Sequence, residues 1–310
     1  MPLEVLVVWA LYGLVACAMV VTYSRIPARE LYHVSHTGPA GGFGRLLVFA
    51  NFSTALVAIA VLAVAFDRLS GRLARVAAVL AAVLCAAVFW PGVVSEADLD
   101  PKPVNAVAAA GVLLSSALTV LVAHRHGISR RPWRGSDWLR VALAVPLVFI
   151  ALPWIAAELG FFLDGVPVLG RIFETGKHVR DVSGLPVFPP AVHHGHHHGM
   201  DGLLLVLGAL LLSRVVEESA PAALRRAASA YLALMFCYGI GNIANDFWLE
   251  QVVKRGWTTW EIPNVLTPRI TVAWAVIVVA AAVIWAVAML RGREGALRPP
   301  SGLGAAAHRE

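Results

Sequence analysis

Charge is scarce in this chain. Asp, Glu, Lys and Arg make up 14% of its 310 residues, against about 25% in an ordinary soluble domain. With 59% hydrophobic residues and a mean hydropathy of +0.73, this excludes a protein that meets mainly water. Lysine occurs only at Lys102, Lys177 and Lys254, so the net charge of +6 comes mostly from arginine. In a membrane protein such a charge bears on topology before it bears on nucleic acid, and no nucleic-acid partner is expected. Cysteine is equally rare. Cys17, Cys85 and Cys237 each sit inside an apolar run, which leaves no disulfide framework and no CxxC motif. They read as small buried hydrophobes. Acids and bases are also missing from the middle of every long apolar run. That removes the usual mark of an ion path and the midplane site common in coupled transporters.

What the sequence has in quantity is apolar runs near 20 residues, the length needed to cross a bilayer as a helix. Eight are readable: 3–23, 45–66, 72–91, 104–123, 139–159, 202–216, 223–245 and 270–290. The fold class is therefore all-α, a polytopic integral membrane helix bundle of about eight transmembrane helices. Residues 1–290 form a single transmembrane domain and 291–310 a disordered cytoplasmic tail. The first run is long enough to be a retained helix rather than a cleaved signal. Pro146 and Pro153 should kink the fifth helix. Mid-span Ser53, Thr54, Ser115, Ser116, Thr119, Ser229 and Tyr231 suit helix packing.

Orientation follows from the connecting segments. With both termini cytoplasmic, the inner segments collect most of the arginines, as in His-Arg-His-Gly-Ile-Ser-Arg-Arg-Pro-Trp-Arg after the fourth run. The neighbouring outer segment reads Ser-Glu-Ala-Asp-Leu-Asp-Pro-Lys. That asymmetry fits the positive-inside rule, and the expected location is a bacterial plasma membrane. The last outer loop, 247–268, mixes Trp248, Trp257 and Trp260 with charges. It is expected to lie along the interface as a short amphipathic helix.

The densest chemistry lies in the outer loop 160–201. His193, His194, His196, His197 and His198 fall within six positions, directly before an apolar run. Neutral imidazole is the commonest metal ligand. On a helix, residues four apart share a face, which would pair His193 with His197 and His194 with His198, with Asp201 one turn beyond His197. A transition metal ion such as zinc, iron or copper suits imidazole and carboxylate ligands. Asp201 could bind directly or fix a histidine tautomer. His33 and His36 in the first outer loop are the best second contributors. The spacing His194-x-x-His197-His198 resembles one histidine box of the membrane fatty-acid desaturases and hydroxylases, which use two irons. The resemblance covers five residues, and no second HxxHH or HxxxH occurs elsewhere in the chain. Those boxes face the cytoplasm, so the family is not carried over.

The outer ends of the runs are polar. Asn51, Asn105, Glu158, Asn242, Asn245, Asp246 and Arg269 lie there, and together they would form a basin around the histidines, open to the outside. The inner ends carry arginines and the Glu217-Glu218 pair, the ordinary look of a cytoplasmic rim. Glu158, Asp164 and Asp246 are the candidate acid–base groups. The function expected is a metal-dependent membrane enzyme whose extracytoplasmic site acts on a lipid or lipophilic small molecule. Two alternatives stand beside it. One is metal-ion handling by transport, sensing or storage. The other is a scaffold whose histidine-rich loop senses pH and whose long third loop meets a partner.

Overall fold

The structure, a computed structural model, describes residues 1–31, 35–94, 99–178, 190–195, 197–218 and 221–297. It is helical throughout. Among the described residues the only β pairing is three isolated bridges. The helices are α1 (Leu3–Arg25), α2 (Gly38–Ala50), α3 (Ser53–Ala65), α4 (Arg72–Cys85), α5 (Asn105–His126), α6 (Gly135–Ile150), α7 (Leu152–Glu158), the one-turn α8 (Leu169–Ile172), α9 (His198–Ser213), α10 (Ala222–Trp248) and α11 (Val272–Leu297).

Five helical segments are long and apolar enough to cross a membrane, or seven if each of two bent pairs is one span. The pairs are α2 with α3, bent by 47°, and α6 with α7, bent by 60°. Pro153 stands at the start of α7. It has no N–H for the carbonyl four residues back, which explains the second bend. The sixth expected span, 202–216, corresponds to α9. Its 16 residues reach only about 24 Å at 1.5 Å per residue, short of a hydrocarbon core of about 30 Å.

That shortness matches its place in the fold. Leu203, Leu204, Leu205, Val206, Ala209 and Leu212 are all buried. A helix apolar on every side belongs inside a bundle, and α9 packs against α10, α3, α1, α6 and α7. Its partner α3 is buried almost throughout. By contrast α11 and α4 expose Val276, Val279 and Val283, and Val76, Leu80 and Val83, the faces that would meet lipid. Helices α9 and α10 touch backbone to backbone where Gly202 meets Gly239. A Cβ on Gly202 would lie 2.5 Å from the Gly239 carbonyl oxygen, and one on Gly239 would lie 2.6 Å from that of Gly202. Small residues permit this approach. Gly239→Ala is therefore expected to cost about 1–3 kcal/mol through overpacking, read as a lower Tm in detergent. An unchanged Tm would rule out the close crossing.

Two sequence expectations change here. Helix α10 does not stop near residue 245, and no separate amphipathic helix covers 247–268. Instead α10 runs to Trp248 and continues as a π-helical turn over Leu249–Val253. Residues 254–271 are then turns and irregular chain, held back by Trp248 Nε1 donating to the Trp260 carbonyl at 2.8 Å. Burial drives the extension, since Glu250, Gln251 and Val253 all point inward. The expected tail begins too early as well, because α11 continues to Leu297; residues 298–310 lie outside those described.

The end of the bundle that carries Met1 is more than an arginine-rich rim. Arg214 closes α9 and reaches Glu4 at 2.7 Å. Its Nε and Nη2 grip both oxygens of Asp137 at 2.9 and 2.8 Å. Arg140 adds a contact to Asp137 at 3.1 Å, and Arg131 donates to the Arg214 carbonyl at 2.6 Å. Glu4 and Asp137 are buried, so this cluster ties the starts of α1 and α6 to the end of α9.

Candidate metal centre

The opposite end of α9 holds the histidines. Residues 190–195 and His197 lead into α9 in non-helical form, with Gly195 at φ +130°. Glycine adopts this conformation freely and other residues do not. The helix starts at His198, with His197 in extended conformation as its N-cap. The segment is fastened from several sides. Ala191 N–H donates to the Lys177 carbonyl at 2.9 Å and Val192 N–H to that of Thr175 at 3.0 Å. Lys254 Nζ donates to the Ala191 carbonyl at 3.0 Å. His194 forms a parallel bridge with Leu31.

Because the helix begins only at His198, the expected helical face of paired histidines does not form. His193 and His197 do meet, as rings stacked 4.2 Å apart and 13° from parallel. Across from them stands Glu250, on the π-helical turn. The ligand atoms of His193, His197 and Glu250 all lie within 4.8 Å of one another. Such a set of two imidazoles and one carboxylate could hold a metal ion.

The surroundings order this triad. His197 Nε2 lies 2.9 Å from the His193 carbonyl. A carbonyl only accepts, so Nε2 carries a proton and Nδ1 is the atom aimed at the carboxylate. Nδ1 lies 3.2 Å from Glu250 Oε1. The other carboxylate oxygen, Oε2, accepts from Trp154 Nε1 at 2.6 Å. The Trp154 ring also stacks on His197, with centroids 6.4 Å apart. Outer hydrogen bonds of this kind hold ligand orientation and tautomer at metal sites. Burial disfavours a charged imidazole on His197, but the adjacent Glu250 carboxylate outweighs it and holds the group above its ordinary range. Burial sends His193 well below that range, helped by the positive charges of His197 and Lys254. Two adjacent imidazoles are thus pushed apart in basicity, and it is the neutral form of each that binds a metal.

The other expected site residues are accounted for individually. His194 turns to the opposite side, stacked on Phe162 at 4.1 Å with Nδ1 3.4 Å from the Ala157 carbonyl. His198 Nε2 lies 2.6 Å from Asp246 Oδ1 and 2.8 Å from Asn245 Oδ1. The second Asp246 oxygen accepts from Gly199 N–H at 2.6 Å, placing a carboxylate on an open amide of the first turn of α9, where it is favoured. Asp201 is fully buried and accepts from Ser53 Oγ; it is directed at α3 rather than into the triad. Asp164 accepts from Gly176 N–H at 2.6 Å, closing its own loop. His36 is exposed and pairs with Asp100 at 3.4 Å. His33 and His196 lie outside the described residues.

Of the polar helix ends, Asn245 and Asp246 meet His198, whereas Asn51 bonds the Asn105 carbonyl and Arg269 lies at a different cavity, so the expected open basin does not form. Glu158, His197, Asp201, Asn242, Asp246 and Glu250 are all buried. Neither carboxylate oxygen of Glu158 has a hydrogen-bond partner among the described residues, and His197 is close enough to act on its charge. Glu250 and Trp154 escaped the sequence reading. The signal for Glu250 lay in Asn242, Asp246 and Glu250, spaced four apart along one helical stripe. No family model, curated protein or solved structure matches the chain, so the reading of this centre rests on its own residues.

Proposed function

We propose that the chain is an integral membrane protein that binds one divalent transition metal ion, zinc first, through His193, His197 and Glu250. We further propose that the bound metal serves an enzyme acting on a lipophilic substrate at that end of the bundle. The observation that carries the reading is the convergence of three ligand atoms within 4.8 Å, with the carboxylate already oriented by Trp154. Two histidines and one glutamate leave a fourth position free on a tetrahedral ion, the arrangement of catalytic rather than structural zinc. Such an ion lowers the pKa of bound water and polarises a substrate oxygen. Glu158 supplies the acid–base group. It is buried, within electrostatic range of His197, and its oxygens are not committed to another partner among the described residues.

The test begins with metal analysis of the full chain purified in detergent without a histidine tag. About one zinc per chain is expected, and wild-type protein with no stoichiometric metal would remove the proposal. Incubation of the zinc-loaded protein with a lipid extract then checks turnover by mass spectrometry of the products. Glu158→Gln should keep the metal and lose at least about 100-fold in rate, the scale of general acid–base catalysis. Equal turnover by that variant would exclude Glu158 from the chemistry.

A further inference from the structure

A second cavity is separate from the metal centre. It has a volume of about 350 Å³ and lies between α3, the segment 88–94 that follows α4, α10 and the start of α11. That falls within the range of small-molecule sites, about 300–1,000 Å³. Its inner part is formed by Leu56, Tyr231 and Met235, and its walls by Phe52, Tyr238 and Trp274. The Tyr231 hydroxyl donates to the Leu56 carbonyl and the Tyr238 hydroxyl to the Leu266 carbonyl. Both phenols are thereby committed, and the walls offer chiefly hydrocarbon and ring faces. Tyr231 and Tyr238 are seven residues apart on α10, so the lining extends about 10 Å along that helix.

The mouth has a different character. Trp90, Pro91 and Arg269 line it. Trp90 and Arg269 are exposed, and Arg269 is the one charged side chain among the lining residues. Among the described residues it has no acidic partner. The exposed apolar residues Phe89, Ile270 and Val272 adjoin it, giving the cleft a lateral opening to hydrocarbon. Tryptophan prefers the headgroup level of a bilayer, and guanidinium binds phosphate with paired hydrogen bonds.

The geometry points to a binding site for an anionic phospholipid, one acyl chain in the cleft and the phosphate on Arg269. Charge complementarity and the lateral apolar opening select this occupant over a water-soluble ligand. The site is independent of the metal. Tyr238 and Glu250 are twelve residues apart on one continuous helical run, which is about 18 Å.

The experiment uses delipidated full-length protein in detergent, exposed to an equimolar mixture of phosphatidylglycerol and phosphatidylcholine. Native mass spectrometry counts the lipid retained. One phosphatidylglycerol per chain is expected, preferred about fivefold, the size of one cation acting on an anionic headgroup. Arg269→Gln should bring the two lipids to near-equal retention, and because the residue is exposed the Tm in lipid-free detergent should not move. Leu234→Trp, which fills the cleft, should remove retention of both lipids. The proposal is overturned if wild-type protein retains no phospholipid. It is equally overturned if Arg269→Gln keeps the preference, or if a folded Leu234→Trp protein retains lipid like wild type.

Discussion

Glu250→Gln is expected to weaken zinc binding by at least about 100-fold, with the protein still folded. Glutamine matches glutamate in shape, and its carbonyl can still accept from Trp154 Nε1, which now reaches Glu250 at 2.6 Å. What it lacks is the negative charge that a divalent cation needs beside two neutral imidazoles. Trp154→Phe removes only the orienting hydrogen bond, so a loss of about 10-fold is expected, at the low end for outer partners of metal ligands. His194→Ala should leave affinity unchanged, because that ring faces Phe162 and the Ala157 carbonyl. Competition with a chromophoric chelator in detergent measures all three. The pattern also separates two ligand sets. A histidine box would rest on His194, His197 and His198, whereas the folded chain assembles His193, His197 and Glu250. If His194→Ala loses as much affinity as Glu250→Gln, the assignment of ligands here is wrong.

The class of the fold is legible because the length of an apolar run is a local property. Each of the eight runs corresponds to a helix, a bent helix pair or, for α9, a short internal helix. Where α10 ends was not legible by the same rule. A hydropathy reading stops at the polar residues Asn245 and Asp246, yet the helix continues because its next acids are buried against α7 and the histidine segment rather than exposed. Placement of polar residues on helix ends depends on tertiary packing, and the 242, 246, 250 stripe was the only local trace of it. The candidate site was legible in part. The histidine cluster marks the segment that supplies His193 and His197 to the candidate triad, but the choice of His193 over His194 depends on the turn at Gly195 and on the fastening of 190–192 to residues 175–177. Those contacts bring together residues distant in sequence. The open basin failed for a related reason. Polar helix ends that converge can satisfy one another, as His198, Asn245, Asp246 and the Gly199 amide do, and they then pack out of solvent.

Arg214→Met is expected to destabilise the protein by about 3 kcal/mol, the scale of breaking a buried ion pair by removing one partner. Two acids depend on this guanidinium. Glu4 and Asp137 are only 4% and 2% exposed, and methionine would take from Glu4 its ion pair and from Asp137 its bidentate partner, leaving Asp137 with Arg140 at 3.1 Å. Arg214→Lys should fall between, since an ammonium keeps the charge but cannot grip both oxygens of Asp137 in the planar fork that guanidinium provides. The double variant Arg214→Met with Asp137→Asn should cost less than the sum of the two single changes, because the second removes a charge whose bidentate partner the first has already taken away. Chemical unfolding in detergent measures these differences, and additive costs would show that Arg214 and Asp137 are not coupled. The reason for so large an effect lies in α9 itself. At 16 residues it is too short to be positioned by matching the bilayer, so its place along the bundle is set by its two polar ends: Asp246 on the Gly199 amide at one and Arg214 on Glu4 and Asp137 at the other. These anchors are about 24 Å apart. In the fraction of Arg214→Met protein that stays folded, zinc affinity should therefore remain within about twofold of wild type, since sites so far apart with no shared partner behave additively. A folded variant that had lost the metal would mean that the Arg214 anchor sets the position of His197 directly.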